Sequence, residues 1–344
     1  MFGTKFIYFI IVAANVLIYE LIFKYKKFVW KKVIFVSSLI AACLLYSFFR
    51  LPSLHNSSSF GLSLVQPNVL QEVKHNIAFR GHIIEKLKVL SEKIKINSLI
   101  IYPEAAWPEI ISEADFDELK GFTRHLNRDI LIGAVKLEEE KFYNTALLLT
   151  KEADSADIYR KIKIVPFGEY VPLRQYLSSV SVLNSLGDMT RGKEYKIFSY
   201  KGKKFGVLIC FEDVFPLFVS RFAKNSDFLI NITDDSWFGG EPESSQHLGV
   251  MVLRAIENRI SIARCANTGI SGWVSFKGEI YTLKDAGRQV FFENILQFNL
   301  PLNNKRSLYN IWQEVFPFFC ILTLFICWIP RSPLKGCPRG GFSF

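Results

Sequence analysis

Three reactive side chains stand where an apolar run of the sequence gives way to polar residues. Cys210 ends the run in KFGVLICFEDVFP, Glu104 follows the run in SLIIYPEAAWPE, and Lys161 lies in YRKIKIVPFGEYVP. A strand that stops at a cysteine and turns can present the sulfur at the rim of a sheet. There the backbone N–H of Phe211 would face a developing oxyanion. A carboxylate, an amine and a thiol at three strand ends predict an acyl-transfer site.

Each of these residues has a structural explanation when it is taken alone. A single cysteine at a strand end is most often a small buried hydrophobic residue. Glu104 could be a solvated loop residue, and Lys161 belongs to a basic run with Arg160 and Lys163. The joint pattern favours chemistry, because otherwise each apolar run would end in a reactive residue by accident.

The three motifs together resemble the Glu-Lys-Cys triad of the carbon–nitrogen hydrolase (nitrilase) superfamily. The form K-x-x-x-VPFGEYVP, followed by NITDDSWFG, resembles the apolipoprotein N-acyltransferase branch in particular. The resemblance covers about residues 60–300 and the flanking apolar segments. It implies an α/β fold, the nitrilase-like α-β-β-α sandwich. It also implies a phospholipid as acyl donor and the N-terminal diacylglyceryl-cysteine of an apolipoprotein as acceptor.

The chemistry of the three side chains predicts a reaction sequence. Glu104 takes the thiol proton of Cys210, and the thiolate attacks an ester carbonyl. Negative charge develops on the carbonyl oxygen, where Lys161 and the backbone N–H of Phe211 would stabilise it. The resulting thioester is then attacked by an amine, and Glu104 handles the amine proton.

Four further residues lie in or beside these motifs. Glu169 and Glu212 are expected to orient Lys161 or the acceptor amine. Trp107 and Trp237 either contact the lipid substrate or pack as core aromatic residues, and the sequence favours neither.

No cofactor or metal site is predicted. The sequence has no GxGxxG motif and no P-loop, and its five histidines show neither H-x-x-x-H spacing nor pairing with cysteines. His247 is interpreted as a polar cap or packing residue. Asp234 and Asp235 are interpreted as solvated loop residues or as hydrogen-bond partners of the turn at Trp237.

Composition indicates a membrane-attached enzyme rather than a nucleic-acid-binding protein. Half of the 344 residues are hydrophobic, 32 are Phe, and the net charge is +10. The basic residues do not form a stripe interleaved with aromatic residues. Their densest cluster, KYKKFVWKK, lies between two apolar segments, so attraction to anionic lipid headgroups is the simpler explanation.

Charge asymmetry predicts the membrane topology. Two apolar segments, Phe6–Phe23 and Val33–Phe49, flank the lysine-rich loop, which the positive-inside rule assigns to the cytoplasm. Glu20 is expected either to turn toward these lysines or to face other helices. A third segment, Ile311–Ile329, returns the chain to a basic tail. With the resemblance, this predicts a protein of the bacterial plasma (inner) membrane whose catalytic domain faces the periplasmic, outer side.

The predicted organisation has five parts: two transmembrane helices in 1–50, a linker in 51–59, the catalytic domain in 60–305, a transmembrane helix in 306–330 and a cytoplasmic tail in 331–344. Strands alternate with helices in the catalytic domain. The expected strands are Phe60–Val65, Ser98–Tyr102, Ile130–Val135, Asn144–Thr150, Phe205–Cys210, Asp227–Thr233, Ile260–Ala266 and Gly272–Phe276. The expected helices are His75–Ile96 and Gln246–Arg259.

Two cysteines, Cys210 and Cys265, fall in the domain that is predicted to be exported. We expect no disulfide between them, because each ends a different apolar run.

Two other functions remain open on the sequence. One is a membrane-anchored amidase, in which water resolves the thioester, and the other is a non-catalytic domain that binds lipoproteins. The intact triad counts against the second. Members of the resembled branch carry more N-terminal helices than the two found here, so we expect either a fragment or a shortened relative.

Overall fold

The computed structural model of the chain describes residues 3–23, 29–50, 58–74, 76–112, 116–152, 154–174, 188–237, 240–303, 307–313 and 315–328. The chain divides into two compact units. One comprises residues 1–44 and 311–344, and the other comprises residues 45–310. Most of the predicted linker and all of the predicted tail lie outside the described residues.

The helices and strands of the described residues follow one another along the chain. The α-helices are α1 (Thr4–Phe23), α2 (Val29–Arg50), α3 (Gln71–Lys74), α4 (Arg80–Glu92), α5 (Phe116–Leu126), α6 (Pro216–Ala223), α7 (Glu241–Asn258), α8 (Tyr309–Trp312) and α9 (Val315–Trp328). The strands are β1 (Ser59–Gln66), β2 (Leu99–Ile101), β3 (Ile110–Ile111), β4 (Ile130–Glu138), β5 (Lys141–Leu149), β6 (Asp157–Arg160), β7 (Ile197–Tyr200), β8 (Lys203–Ile209), β9 (Phe228–Thr233), β10 (Ile262–Ala266), β11 (Gly272–Val274), β12 (Ile280–Thr282) and β13 (Asn294–Pro301). Three short 3-10 turns span Ile77–Phe79, Cys210–Val214 and Asp235–Trp237.

Helices α1 and α2 are long and apolar. Segments Thr4–Phe23 and Trp30–Phe49 each have 20 residues and mean hydropathies of 2.3 and 2.0, so by length and composition both could cross a membrane. The predicted turn of Glu20 toward the lysines is confirmed, because its carboxylate lies 2.7 Å from the Lys32 ammonium.

The described residues of the third predicted span form two helices. The chain makes the single turn α8 and then α9, which has 14 described residues and borders residues outside the description. Pro317 lies in the first turn of α9, where a proline is tolerated, and this fits a helix start at Val315.

Two mixed sheets form the second unit. The strand order of the first is β13-β1-β2-β4-β5-β6, with β3 paired to β4, and the order of the second is β12-β11-β10-β9-β8-β7. The central strands β1, β2 and β4 are parallel, as are β8, β9 and β10, and antiparallel strands flank both sets. Parallel central strands place their carboxyl ends at one edge of each sheet, where binding sites of α/β folds commonly lie.

Both faces of the central strands are apolar, which requires a cover on each side. In the first sheet Leu99 and Ile101 face the core between the sheets, whereas Ile100 packs in the core that contains Leu87 and Leu119 of α4 and α5. Residues of α6 and α7 cover the outer face of the second sheet. The layers are therefore helix, sheet, sheet and helix, and the predicted nitrilase-like α-β-β-α sandwich is confirmed.

The sequence located the buried strands better than the edges. Eight expected strands match β1, β2, β4, β5, β8, β9, β10 and β11 within a few residues, whereas β3, β6, β7, β12 and β13 were missed. The missed strands are short or half-exposed, so their apolar periodicity is weak. The predicted helix His75–Ile96 was too long, because Asn76 caps a separate 3-10 turn before α4. Helix α7 begins earlier than predicted, with Pro242 in its first turn.

Candidate active site

Glu104, Lys161 and Cys210 each follow a strand whose carboxyl end lies at the same edge of its sheet. Glu104 comes after β2, and Lys161 comes directly after β6, which runs parallel to β4 because two antiparallel pairings separate them. Cys210 comes directly after β8. The two sheets stack, so three residues that are far apart in sequence meet in space.

Glu104 is held on all sides. Its Oε1 accepts hydrogen bonds from Lys161 Nζ at 3.1 Å and Asn144 Nδ2 at 2.7 Å. Its Oε2 accepts one from the backbone N–H of Asp234 at 3.0 Å. The buried Lys74 ammonium donates to the backbone oxygen of Glu104 at 3.1 Å and also pairs with Asp234. The orientation of the Glu104 carboxylate is thereby fixed by both sheets.

Lys161 is a buried cation between two carboxylates. Its side chain is 2% exposed, and Nζ lies 3.1 Å from Glu104 and 3.0 Å from Glu169. Burial lowers the pKa of Lys161, but the attraction of Glu104, of Cys210 and of Glu169 outweighs it and raises the pKa above its usual value. The ammonium is therefore a fixed positive charge at neutral pH.

Cys210 begins a tight 3-10 turn in a left-handed backbone conformation, with φ of 53°. Such a conformation is unfavourable for a residue with a side chain and persists only where the surrounding structure imposes it. Burial raises the pKa of the thiol, and Glu104 raises it further, while Lys161 and a hydrogen-bonding contact with the Thr233 hydroxyl lower it. The net effect is a raised pKa, so the neutral thiol needs a base before it can attack.

Glu212 lies in the same turn and is fully buried. Its carboxylate is buried and accepts the Tyr159 hydroxyl at 2.9 Å and the backbone N–H groups of Ile162, Lys163 and Ile209 at 2.8, 2.9 and 2.9 Å. It therefore ties the turn of Cys210 to the backbone around Lys161. Burial raises the pKa of Glu212 to about 7, against the opposing effect of these hydrogen bonds.

The aromatic residues flanking the motifs have different positions. Trp107 is 2% exposed and packs edge-on against Phe122 in the core of the first sheet, which favours a core role over contact with lipid. The side chain of Trp237 lies outside the described residues. Phe211 is 45% exposed and packs against Phe215, while its backbone N–H lies in the first turn, where such groups lack partners within a helix.

Several residues of the site carried no signal in the sequence. Asn144 in β5 donates to both Glu104 and Glu169, at 2.7 and 2.8 Å, and Lys74 and Tyr159 complete the contacts described above. A lone Asn or Tyr within an apolar strand has no distinctive spacing. Only the register that pairs β5 with β4 and β6 could have identified Asn144.

Of the two interpretations of Asp234 and Asp235, solvation in a loop is wrong. Hydrogen bonding to the turn at Trp237 is confirmed for Asp234, which accepts the backbone N–H of Ser236 at 3.1 Å. Asp234 is 5% exposed and bonds to Lys74 and Asn267, and Asp235 is 2% exposed and bonds to Arg264. Both follow β9 into the interior between the layers, where a carboxylate needs a cation as partner. Cys210 and Cys265 are both free thiols in the structure. Among the described residues, no group of three His, Cys, Asp or Glu side chains could hold a metal ion.

The layered fold defines the class of this protein as nitrilase-like. An amidase from Nesterenkonia sp. superposes with a TM-score of 0.56 at 16% identity, covering 77% of this chain and 97% of the amidase. The glutamine-dependent NAD+ synthetase from Acinetobacter baumannii superposes with a TM-score of 0.54 at 17% identity, covering 73% of this chain and 49% of that one. Residues 87–299 match the carbon–nitrogen hydrolase family model, and the chain belongs to that family.

Among curated proteins the chain is similar to apolipoprotein N-acyltransferases. It is 30% identical over 335 residues to that of Geobacter metallireducens, which covers 93% of this chain and 64% of the relative. It is 34% identical over 265 residues to that of Aquifex aeolicus, which covers 75% of this chain and 59% of the relative. The chain thus spans about six-tenths of the length of these relatives.

Proposed function

We propose that this protein is an N-acyltransferase that moves an acyl chain from a phospholipid to the N-terminal amine of a diacylated apolipoprotein. The observation that carries the proposal is the ammonium of Lys161, held 3.1 Å from Glu104 and acting electrostatically on Cys210. A base, a fixed cation and a thiol in one buried cluster suit acyl transfer. The likeness to named apolipoprotein N-acyltransferases supports these substrates.

In the first half-reaction Glu104 removes the proton of the Cys210 thiol, and the sulfur attacks the ester carbonyl of the phospholipid. The carbonyl electron pair moves onto oxygen, where Lys161 and the N–H of Phe211 stabilise the charge. When the oxyanion collapses, the C–O bond breaks, and the lysophospholipid alkoxide takes the proton from Glu104. A thioester on Cys210 remains.

In the second half-reaction the acceptor amine attacks the thioester, and Glu104 accepts a proton from the attacking nitrogen. The C–S bond breaks, the thiolate of Cys210 recovers the proton and the amide product leaves. Glu169 helps to hold Lys161 in place through both steps, since it is the second carboxylate on that ammonium.

The surroundings of the site support a lipid substrate. Exposed apolar side chains lie in the segments that carry the site, namely Phe167 and Leu173 after Lys161 and Phe211 and Phe215 after Cys210. Exposed apolar patches of this kind mark lipid or partner contacts. The apolar helices α1 and α2 support attachment to the bacterial plasma membrane, and the lysine-rich loop between them supports an outward-facing catalytic domain.

The Cys210 thioester gives the direct test. Incubation with phospholipid carrying a labelled acyl chain should give a hydroxylamine-sensitive adduct in the wild type. Cys210→Ala should give none and should keep the wild-type melting temperature, while Cys43→Ala should be labelled normally. Labelling of Cys210→Ala at full intensity would refute the assignment.

An amidase would share the first half-reaction, and the fold likeness to an amidase keeps this alternative open. The second half-reaction separates the two functions. The transferase predicts that the acyl-enzyme persists in water and discharges quickly when a diacylated lipopeptide is added. Equally fast decay with and without the lipopeptide would instead assign the protein as a hydrolase.

A further inference from the structure

A second cluster of buried charges lies behind Cys210, outside the groups that the mechanism uses. Arg264 in β10 is 0% exposed, and it lies beside Asn231 of β9, its partner in the strand register. Its guanidinium donates to Asn231 Oδ1 at 2.8 Å, to Asp235 Oδ2 at 2.8 Å and to the backbone oxygen of Ile270 at 3.1 Å. It also lies 3.0 Å from Nδ1 of His247 on α7.

The three side-chain partners of Arg264 lead to the turn that carries the nucleophile. The amide of Asn231 donates to the backbone oxygen of Cys210 at 3.1 Å. Asp235 accepts the Thr233 hydroxyl at 3.0 Å, and that hydroxyl contacts the Cys210 thiol. One guanidinium is therefore linked to both the carbonyl and the sulfur of the nucleophile.

The third connection reaches the far end of the same turn. His247 Nε2 lies 2.9 Å from Asp213 Oδ1, and Asp213 is the fourth residue of the turn that begins at Cys210. Asp213 is fully buried, and its Oδ2 has no hydrogen-bond partner among the described residues. His247 is therefore the described contact that satisfies this carboxylate, and Arg264 orients His247 from the other ring nitrogen.

We infer that Arg264 is a positioning residue, which fixes the nucleophile turn through Asn231, Thr233 and His247 and so holds the Cys210 sulfur in line for attack. The inference rests on the proposed thioester chemistry. Cys210 adopts a left-handed conformation that its surroundings must impose. The hydrogen bond from Asn231 to the Cys210 carbonyl, and the one between His247 and Asp213 in the same turn, supply that constraint. The planar fork of Arg264 can bind several partners at fixed angles, which an ammonium cannot do.

Two variants test this role. Arg264→Lys keeps the charge and loses the fork, and Asn231→Ala removes the link to the Cys210 carbonyl while leaving every charge in place. Arg288→Lys, at an exposed arginine that pairs with Asp285, is the matched control. We expect the first two to slow acyl-enzyme formation at saturating phospholipid roughly 10- to 100-fold, because small misplacements of a reacting group have effects of this size. The half-saturating phospholipid concentration should not change.

The second measurement does not depend on lipid chemistry. The rate at which iodoacetamide alkylates Cys210 is measured by mass spectrometry at a series of pH values. The pH of half-maximal rate, the alkylation midpoint, reports the pKa of the thiol and therefore how the turn holds the sulfur. A loosened turn lets water reach the thiol, so its pKa should fall from the raised value toward that of an ordinary thiol. The charged groups that act on this thiol, Glu104, Lys161 and Asp235, are unchanged in both variants. Buried Cys265 should stay unreactive in a folded variant, which separates a local shift from unfolding.

The combined results of the two measurements decide the inference. The inference is supported if both variants form the acyl-enzyme more slowly and have a lowered alkylation midpoint. The double variant, with Arg264→Lys and Asn231→Ala together, should then be no slower than Arg264→Lys alone, because the effects of residues that act in series are not additive. Folded variants with wild-type rate and midpoint, or losses that multiply in the double variant, overturn it. If Arg264→Lys does not fold, Asn231→Ala decides alone. If no acyl-enzyme forms even in the wild type, the proposed function fails, and the alkylation midpoint still tests the role of Arg264.

Discussion

Gly133 of β4 lies directly against the backbone of Glu104. A Cβ atom at position 133 would lie 2.6 Å from the Cα atom of Glu104 and 2.4 Å from the carbonyl oxygen of Pro103. The backbone N–H of Gly133 donates to that same oxygen at 3.2 Å, and its carbonyl accepts from Trp107 at 3.1 Å. The loop that carries Glu104, the proposed base, therefore packs directly against the backbone of β4 at Gly133, where the strand has no side chain.

Replacement of this glycine should displace the base. Gly133→Ala must push the Glu104 backbone away, and such overpacking typically costs about 1–3 kcal/mol of stability. We expect acyl-enzyme formation to fall at least about tenfold, because proton removal depends on the distance between Glu104 and the thiol. Gly121→Ala is the control, since its Cβ has open space within α5. Equal activity of the two variants would contradict this account of the loop.

Removal of the buried cation should impair the first half-reaction. Lys161→Ala leaves Glu104 and Glu169 together without their shared ammonium and removes one proposed oxyanion donor, which is typically worth about 3–4 kcal/mol. We expect acyl-enzyme formation to slow by a factor of roughly 100 to 1,000. Lys163→Ala is the neighbouring control, because that side chain packs over the ring of Phe215 instead. Single-turnover labelling measures the rate of acyl-enzyme formation in both variants. A rate that falls in Lys163→Ala but not in Lys161→Ala would contradict the role given to Lys161.

Glu212 should make stability fall as the pH rises. Its pKa is 4.5 in an unfolded chain and about 7 in the folded protein, because the carboxyl is buried. Between these values the folded protein holds a proton that the unfolded chain has released, so the free energy of unfolding decreases with increasing pH. The decrease is up to roughly 3 kcal/mol, at about 1.4 kcal/mol for each pH unit.

The variant Glu212→Gln should lack this pH-dependent contribution to stability. The measurement is the melting temperature of both proteins in detergent from pH 4.5 to 8, with the exposed Glu194→Gln as control. A wild-type slope no steeper than that of Glu212→Gln would show that the group does not titrate in this range.

The membrane topology is open to a direct test with fusions. The lysine cluster of residues 24–32 predicts that both termini are cytoplasmic and that residues 50–310 are outside. A reporter that is active only outside the cytoplasm should be active when fused near residue 150. The same reporter should be silent within residues 24–32 and after residue 331. The reverse pattern would place the catalytic unit in the cytoplasm.

The local sequence was sufficient to predict the principal strands and to select the three proposed catalytic residues. Glu104 follows and Cys210 ends a run whose apolar residues must be buried, so the local sequence shows both the strand and the polar residue at its end. The same holds for the apolar segments of α1 and α2. Lys161 follows the half-exposed β6 and was selected from the motif YRKIKIVPFGEYVP instead. Edge strands such as β6 and β13 are half-exposed and gave no comparable signal.

Only the tertiary structure decided which polar residues serve the site. Asn144 reaches Glu104 because β5 pairs with β4 and β6 in one register, and Arg264 reaches Cys210 because Asn231 lies between them on neighbouring strands. A buried polar side chain must find its partner wherever the fold brings one, even when the two residues are distant in the sequence. The physical reason is that strand identity is encoded by local periodicity, whereas register and sheet stacking arise from the packing of the whole chain.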